Sequence, residues 1–110
     1  LIQSVSAYTL SVTTQPVDAT AGVTLTSFVV ELKDGGGVVA ASESVDLSIA
    51  TGPGSLLGTL AQTTNGSGLA TFNDIKIEEA GTYTLKFSSN SVDTTSSSFT
   101  ISAASLPKRE

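Results

Sequence analysis

Apolar and polar residues alternate along the chain at the two-residue period of β-strands, most clearly over residues 28–32, 45–49 and 83–87. No segment keeps the helical period of about 3.6 residues for more than one turn. Turn signals recur about every 8 to 12 residues, a spacing typical of β-sandwiches. The pattern therefore predicts an all-β fold of about seven to nine short strands.

Clusters of glycine, proline, asparagine and serine mark the predicted turns. Residues 34–37 and 65–68 give the strongest signals, because glycine readily takes the positive φ that tight turns require. Further turns are predicted at residues 18–22, 52–54 and 88–91.

Three other segments have less regular patterns. Residues 38–40 predict a short edge strand, and residues 56–63 predict either a weak strand or an ordered loop. Residues 92–102 predict the last strand, with Phe99 and Ile101 facing inward.

The apolar positions change parity twice along the chain. Between Leu25 and Phe28 the change predicts a bulge or a break between two strands at Thr26-Ser27. A second change predicts another bulge at Asn73-Asp74, because a strand cannot change face without an extra residue.

The composition limits the chemistry of the surface and the core. Hydrophobic residues make up 39% of the chain but aromatic residues only 5%, so the core is built mainly from Val, Leu and Ile. Ser and Thr, with 17 and 16 copies, supply much of the polar surface. The net charge of −5 argues against a nucleic-acid partner, since that binding needs clustered Lys and Arg.

The residue types absent from the chain restrict its functions. Without Cys there is no disulfide and no thiolate metal site, and without His neither a Ser-His-Asp nor a Cys-His arrangement can form. Glu78-Glu79 is an adjacent carboxylate pair, but consecutive strand residues point to opposite faces, so we expect them not to share a cleft. The sequence predicts a non-catalytic protein without a cofactor. It also predicts no membrane span, because no apolar run approaches about 18 residues.

Residues 78–87 resemble the corner between the fifth and sixth strands of immunoglobulin-like domains, with Tyr83 at the place of the corner tyrosine. In that corner the ring lies in the core and the hydroxyl bonds a nearby backbone group. Leu85 stands where antibody domains carry the second cysteine of their disulfide. The resemblance therefore implies a sandwich stabilised without a disulfide.

The wider pattern resembles the bacterial immunoglobulin-like (Big-type) repeats of cell-surface and secreted proteins. The resemblance covers residues 9–102 and implies a sandwich of two antiparallel sheets. Residues 1–8 are then a lead-in linker, and residues 103–110 a linker or an appended tail. The matching segments are Gln15-Pro16, Thr20-Ala21-Gly22, residues 28–34, Val38-Val39, residues 45–48, residues 68–74 and residues 80–85. The residues expected to hold the structure are Phe28, Phe72, Gly81, Tyr83, Leu85 and Phe87.

This resemblance implies a non-catalytic extracellular module, a structural spacer or presentation unit in a larger cell-surface or secreted protein. Its partners would be the neighbouring domains of the same chain. One alternative is an adhesion or recognition module that binds a protein or a glycan through loops or an edge strand. Another is an accessory domain of a carbohydrate-active enzyme. Since fold alone does not choose among these, an exposed apolar patch or a groove would favour a binding module.

Calcium is the metal that the residue types could bind. Five aspartates lie at or near predicted strand ends, where carboxylate oxygens could converge on Ca²⁺. The chain has no D-x-D-x-D-G run, and aspartates in turns commonly bond their own backbone. We therefore expect turn chemistry and no metal site at these residues, which are Asp18, Asp34, Asp46, Asp74 and Asp93.

Three further motifs have a structural and a functional interpretation. Some surface domains contain internal lysine cross-links, which need a buried lysine, and the candidates here are Lys33, Lys76 and Lys86. Because Lys33 adjoins the inward-facing Leu32, we expect its side chain to point outward. Asn65-Gly66-Ser67 matches the N-glycosylation motif, but we expect it to be a hairpin turn in which Asn-Gly is used for its positive φ. Tyr8 is the one aromatic residue expected to be exposed enough for stacking on a sugar.

Overall fold

The computed structural model describes residues 8–104 of the 110-residue chain. The predicted lead-in, apart from Tyr8, and most of the predicted tail lie outside these residues. Within the described range there is no helix, and so none long and apolar enough to span a membrane. The all-β prediction is confirmed. The strands are β1 (Thr9–Thr14), β2 (Ala19–Thr20), β3 (Phe28–Lys33), β4 (Ser44–Thr51), β5 (Leu56–Leu57), β6 (Ala61–Thr63), β7 (Leu69–Phe72), β8 (Lys76–Ile77), β9 (Gly81–Ser89), β10 (Val92–Thr95) and β11 (Phe99–Ser102).

Two main sheets form the layers of a β-sandwich. One has the strand order β1-β3-β7, and the other has the order β2-β11-β9-β4-β6, with β10 also paired to β9. A separate two-stranded ribbon joins β5 to β8. The pairing is antiparallel except between β2 and β11, which run parallel. This parallel pair and the small ribbon depart from the predicted arrangement of two purely antiparallel sheets.

Alternating residues of both sheets fill the space between the layers. Strand β3 alternates buried and half-buried positions along its whole length, and Tyr83, Leu85 and Phe87 of β9 are completely buried. The rings of Phe28 and Phe72 stack with centroids 5.6 Å apart, and Phe87 lies 5.9 Å from the first and 5.7 Å from the second. Aromatic contacts of this kind add to the stability gained by burial, so the centre of the core joins β3, β7 and β9.

Both changes of parity mark places where the chain leaves a sheet. Residues 23–27 are irregular, so the first change is a break; Leu25 is buried there, and its N–H donates to the carbonyl of Ile75 at 2.8 Å. At the second change the predicted bulge is wrong. After Phe72 the chain departs from β3, and β8 pairs with β5 in the ribbon.

One predicted turn and two predicted strands also differ from the structure. Residues 18–22 contain β2 as well as a turn, and residues 38–40 form only an isolated bridge between Val39 and Lys33. The last strand is divided into β10 and β11, because residues 96–98 leave the strand conformation. Residues 56–63 contain the two short strands β5 and β6.

The chain enters and leaves the sandwich at opposite ends. Thr9 pairs with Lys33, and the chain passes from Lys33 to Ser44 at this same end, where Ser89 donates its side-chain hydrogen bond to the Ser44 carbonyl. We call this the amino end. Strand β9 ends there at Ser89 and begins at the opposite end at Gly81, which pairs with Ile101 near the end of β11. We call that second region the carboxyl end.

Candidate functional site

Strand β9 begins in a corner at the carboxyl end that encloses Tyr83. The hydroxyl of this buried tyrosine donates to the backbone carbonyl of Glu79 at 2.6 Å, and its ring stacks on Phe99 with centroids 6.1 Å apart. Gly52 and Gly54 lie directly against the tyrosine, since a Cβ at either position would overlap it. The corner is therefore closed by one aromatic side chain and by glycine backbone from the β4–β5 connection.

An open pocket of about 300 Å³ lies on the outer side of this corner. Both Glu78 and Glu79 line it, so the expectation that these carboxylates would not share a cleft is wrong. The physical reason is that β8 ends at Ile77, so the two glutamates follow in irregular backbone that does not alternate faces. The other lining residues are Pro53, Gly54, Ser55 and Leu57.

Four of the five candidate aspartates have separate partners. Asp18 accepts a hydrogen bond from the Thr100 N–H at 2.8 Å, and Asp34 accepts from the N–H groups of Gly36 and Val38. Asp93 lies 3.5 Å from the Lys86 ammonium. Asp74 binds Thr59, as described next, and Asp46 is exposed on β4. Within residues 8–104 no group of three or more His, Cys, Asp or Glu side chains could hold a metal ion.

Asp74 connects the β5–β6 connection to the chain after β7. Its Oδ2 accepts a hydrogen bond from the Thr59 hydroxyl at 2.6 Å, and the Thr59 N–H donates to Oδ1 and Oδ2 at 3.1 and 3.2 Å. These bonds stabilise the charged form, so the Thr59 hydroxyl and then the Thr59 N–H lower the pKa of Asp74. The aspartate acts as a local connector between two loops.

The candidate cross-linking lysines are not buried in the core. Lys33 lies 3.9 Å from Glu31, with 43% of its side chain exposed, and Lys86 is 45% exposed beside Asp93. Lys76 is half-buried on β8. A lysine cross-link needs a buried lysine, and the exposure of Lys33 and Lys86 does not provide one.

Residues 65–68 form a turn closed by the side chain of Asn65. Its Oδ1 accepts hydrogen bonds from the N–H groups of Ser67 and Leu69 at 2.8 and 3.1 Å, while the Asn65 N–H donates to the Leu69 carbonyl. The positive φ of 75° belongs to Gly68 and not to the Asn-Gly pair, so that part of the hairpin interpretation is wrong. Gly68 is required there, because a Cβ would lie 2.7 Å from the Leu32 carbonyl oxygen.

The aromatic residues of the described chain pack into or against the core. Phe28, Phe72, Phe87 and Phe99 are buried with Tyr83, and Tyr8 is half-buried against the same cluster. None of them forms the exposed platform on which sugars stack. Large apolar side chains are exposed elsewhere, with fractions from 38% to 61%, at Val17, Val23, Val38, Val39, Leu57 and Leu60.

Two buried hydroxyl residues with structural roles carried no signal in the sequence. Thr64 donates to the Ala40 carbonyl at 2.6 Å and accepts from the Glu43 N–H at 3.0 Å, which ties the β3–β4 connection to β6. Ser96 accepts from the Leu85 N–H at 3.0 Å and so continues the sheet between β10 and β11. Neither residue stands out among 17 Ser and 16 Thr.

Comparison with solved structures identifies the architecture. The D00-D0 domain of Intimin matches with a TM-score of 0.66 at 19% identity, covering 90% of this chain and 50% of that one. The D0-D1 domain of Intimin matches with a TM-score of 0.67 at 19% identity, covering 86% and 48%. The chain thus spans about half the length of each structure. It matches no protein-family model and no curated protein. The immunoglobulin-like fold predicted from residues 78–87 is confirmed.

Proposed function

We propose that the chain is a non-catalytic extracellular module that holds other parts of a longer surface protein apart. The observation that carries the proposal is that the first strand begins at one end of the packed sandwich and the last strand finishes at the opposite end. A module of this geometry adds its own length to the chain that runs through it. The similarity of its fold to domains of Intimin, a bacterial surface adhesin, supports an extracellular setting.

The core supplies the rigidity that a spacer requires. Sixteen hydrophobic residues form one buried cluster, and within residues 8–104 every buried side-chain nitrogen or oxygen has a hydrogen-bond partner. Close packing of this kind leaves one arrangement of the two sheets. Tension or thermal motion at the two ends therefore acts on a fixed length. The predicted domain of residues 9–102 is proposed as the rigid unit.

Small-angle X-ray scattering of one, two and three full chains joined in tandem tests the spacer function. We expect the maximum dimension to grow with each copy by at least roughly 30 Å, the length of the nine-residue strand β9. The same copies placed between a surface anchor and an epitope should make the epitope progressively more accessible to antibody-coated beads. Tandem chains that fold back side by side, with no growth in length, would contradict the proposal.

The pocket beside the corner supports a second candidate, a recognition module. It combines the exposed apolar surface of Leu57 with the carboxylates of Glu78 and Glu79. A glycan and protein array probed with the full chain tests this function. The recognition function is supported if Leu57→Lys abolishes binding and Leu60→Lys does not. Leu60 is the control because it is about as exposed as Leu57 but does not line the pocket. An array without saturable binding would leave the spacer as the function.

A further inference from the structure

In the part of the chain that the structure describes, β6 is the outermost strand of the larger sheet on the side away from β2. The Leu60 carbonyl accepts a hydrogen bond from the Leu47 N–H at 2.7 Å, and the Thr64 N–H donates at 2.8 Å to the residue before β4. In an antiparallel pair such bonds fall on alternate residues, and the residues between them direct their N–H and C=O groups away from the partner strand. Ala61 and Thr63 therefore direct these groups outward from the sheet.

This outward side of residues 60–64, which we call the β6 edge, is not protected against pairing with another strand. Residues 59–65 contain no charged residue and no proline, the residue types that usually block such an edge. The side chains of Ala61 and Thr63 are small and exposed. Leu60 is 39% exposed, although it lies on the same face of the sheet as the buried Leu47. The edge therefore combines accessible backbone groups with an exposed apolar side chain.

The other outermost strands of the two main sheets have protective features that the β6 edge lacks. The register of β1 shifts at a bulge near its end, and β2 follows Pro16 and Asp18. On β7, Asn65 already bonds both the N–H and the carbonyl of Leu69, which face away from β3. Bulges, proline and charge are the usual means by which exposed strands avoid pairing. The β6 edge is thus the place where these sheets are open to a further strand.

The β6 edge is complementary to a second copy of itself. When two copies pair antiparallel about Gln62, Ala61 of each copy lies opposite the partner's Thr63. Each of these two residue pairs exchanges two N–H···O bonds, so the twofold axis gives four bonds in all. Gln62 then occupies a non-hydrogen-bonded position, in agreement with its own pairing to β4. The partner's strand also covers the exposed Leu60.

We propose that two copies of the chain associate through the β6 edge and join their larger sheets into one continuous sheet. Strand β6 is antiparallel to β4, so it runs from the carboxyl end towards the amino end. Antiparallel pairing of two β6 strands therefore places the amino end of one copy beside the carboxyl end of the other. The edge is short, so a single pair is weak, and repeated copies strengthen it through avidity.

This orientation determines where the contact can form. Modules attached to one surface by the same terminus share one orientation, whereas modules on two facing surfaces have opposite orientations. The pairing is thus a homophilic contact between facing surfaces. The pairing itself stands on the β6 edge alone, and only this setting rests on the proposed spacer function.

Analytical ultracentrifugation of the full chain between roughly 1 μM and 1 mM tests the pairing, and we expect a monomer–dimer equilibrium within this range. Ala61→Lys combined with Thr63→Lys places like charges opposite each other twice in the proposed register. This double variant should raise the dissociation constant at least roughly tenfold. The two added lysines change the net charge from −5 to −3, which by itself would favour association. A weaker dimer would therefore be an effect of the position of the charges.

Ala61→Lys combined with Thr63→Glu is the matched control. In the same register each introduced lysine lies opposite an introduced glutamate of the partner, and the net charge stays at −5. The dissociation constant should be no higher than that of the native chain. Both positions are exposed, so both double variants should keep the native denaturation midpoint. The pairing is wrong if the native chain stays monomeric at roughly 1 mM, or if the two double variants dimerise equally.

Beads that carry the chain by its amino terminus test the contact between facing surfaces. Beads with the native chain should aggregate, and beads with the Ala61→Lys, Thr63→Lys variant should stay dispersed. Dimers in solution without aggregation of beads would overturn this setting.

The spacer function fails in a different measurement. Scattering from tandem chains that carry the Ala61→Lys, Thr63→Lys substitutions measures their length without pairing along β6. If these chains do not lengthen with each copy while the native chain dimerises, the spacer function is wrong and the pairing remains. If they lengthen and the native chain stays monomeric, the pairing is wrong and the spacer function remains.

Discussion

Strand β9 begins in a corner assembled from distant parts of the chain and ends in a hairpin defined by two adjacent residues. At the carboxyl end, Tyr83 is enclosed by Gly52 and Gly54 from the β4–β5 connection and bonds the Glu79 carbonyl. At the amino end, the turn to β10 consists of Asn90 and Ser91, whose φ values are 50° and 68°. Positive φ at both central residues is the backbone of a type I′ hairpin turn.

The stability of the two ends is therefore limited by different physical factors, by packing in the corner and by backbone strain in the hairpin. The corner is well packed, so it tolerates no additional atom near the tyrosine ring. The hairpin is open to solvent, and its cost is the strain of a left-handed backbone at two residues that are not glycine. Substitutions in the corner should therefore destabilise the domain, whereas the hairpin offers a substitution that stabilises it.

Phe87 lies on β9 between the corner and the hairpin, and Phe87→Ala shows how much stability a fully buried side chain of this strand contributes. It is completely buried against Phe28 and Phe72, so truncation should lower the free energy of unfolding by about 3–5 kcal/mol. Denaturant titration measures this loss. Lys86→Ala, on the opposite face of the strand, should cost no more than about 0.5 kcal/mol. A similar loss for both variants would show that the core is not centred here.

Gly52→Ala should have the largest effect among substitutions in the corner. The glycine has a φ of 133°, and a Cβ would overlap the ring of Tyr83, so we expect a loss of about 2–4 kcal/mol. Thermal or denaturant unfolding measures it. Gly66→Ala is the control, because a Cβ there meets nothing within 4 Å, and it should leave stability within about 0.5 kcal/mol. Equal effects would contradict the dense packing of the corner.

Tyr83→Phe removes only the hydroxyl that closes the corner. The loss of its bond to the Glu79 carbonyl should lower the free energy of unfolding by about 1–2 kcal/mol. Glu79→Ala keeps the backbone acceptor and should change stability by no more than about 0.5 kcal/mol. Denaturant titration of both variants separates the hydroxyl from the neighbouring carboxylate. A neutral Tyr83→Phe would show that the ring alone closes the corner.

Ser91→Gly should have the smallest effect and the opposite sign. Glycine adopts a φ of 68° without the strain imposed on serine, so the variant should be more stable by about 0.5–1 kcal/mol. The measurement is the denaturation midpoint. Ser88→Gly places the same change within β9, where glycine weakens a strand, and should be destabilising. A loss of stability at Ser91 would mean that the hairpin depends on contacts outside its two central residues.

The same contrast explains which parts of the fold the sequence predicts. Features that depend on neighbouring residues can be predicted from the sequence. The structure has the predicted alternation in β3, β4 and β9, and the predicted turn at residues 34–37, where Asp34 bonds its own neighbours. Features that join distant residues are not visible. The parity change at residues 73–74 shows that the chain alters its face, but not that β8 joins β5 in a separate ribbon.

The candidate sites follow the same rule. The sequence anticipates that an aspartate in a turn would bond backbone, but not that the partner of Asp18 would be Thr100. It likewise treats Glu78 and Glu79 as strand residues on opposite faces, although the corner bends the backbone and turns both towards one pocket. Tyr83 could be assigned its place because the corner itself has a recurring local pattern.

The turn at residues 65–68 has a consequence for what this surface can display. Its base is closed by the two bonds that Asn65 Oδ1 accepts and by the bond between the Asn65 N–H and the Leu69 carbonyl. Gly66 and Ser67 at the tip are exposed, and the space around Gly66 is open. A peptide or a label can therefore be inserted at the tip while the hydrogen bonds at the base of the turn remain intact.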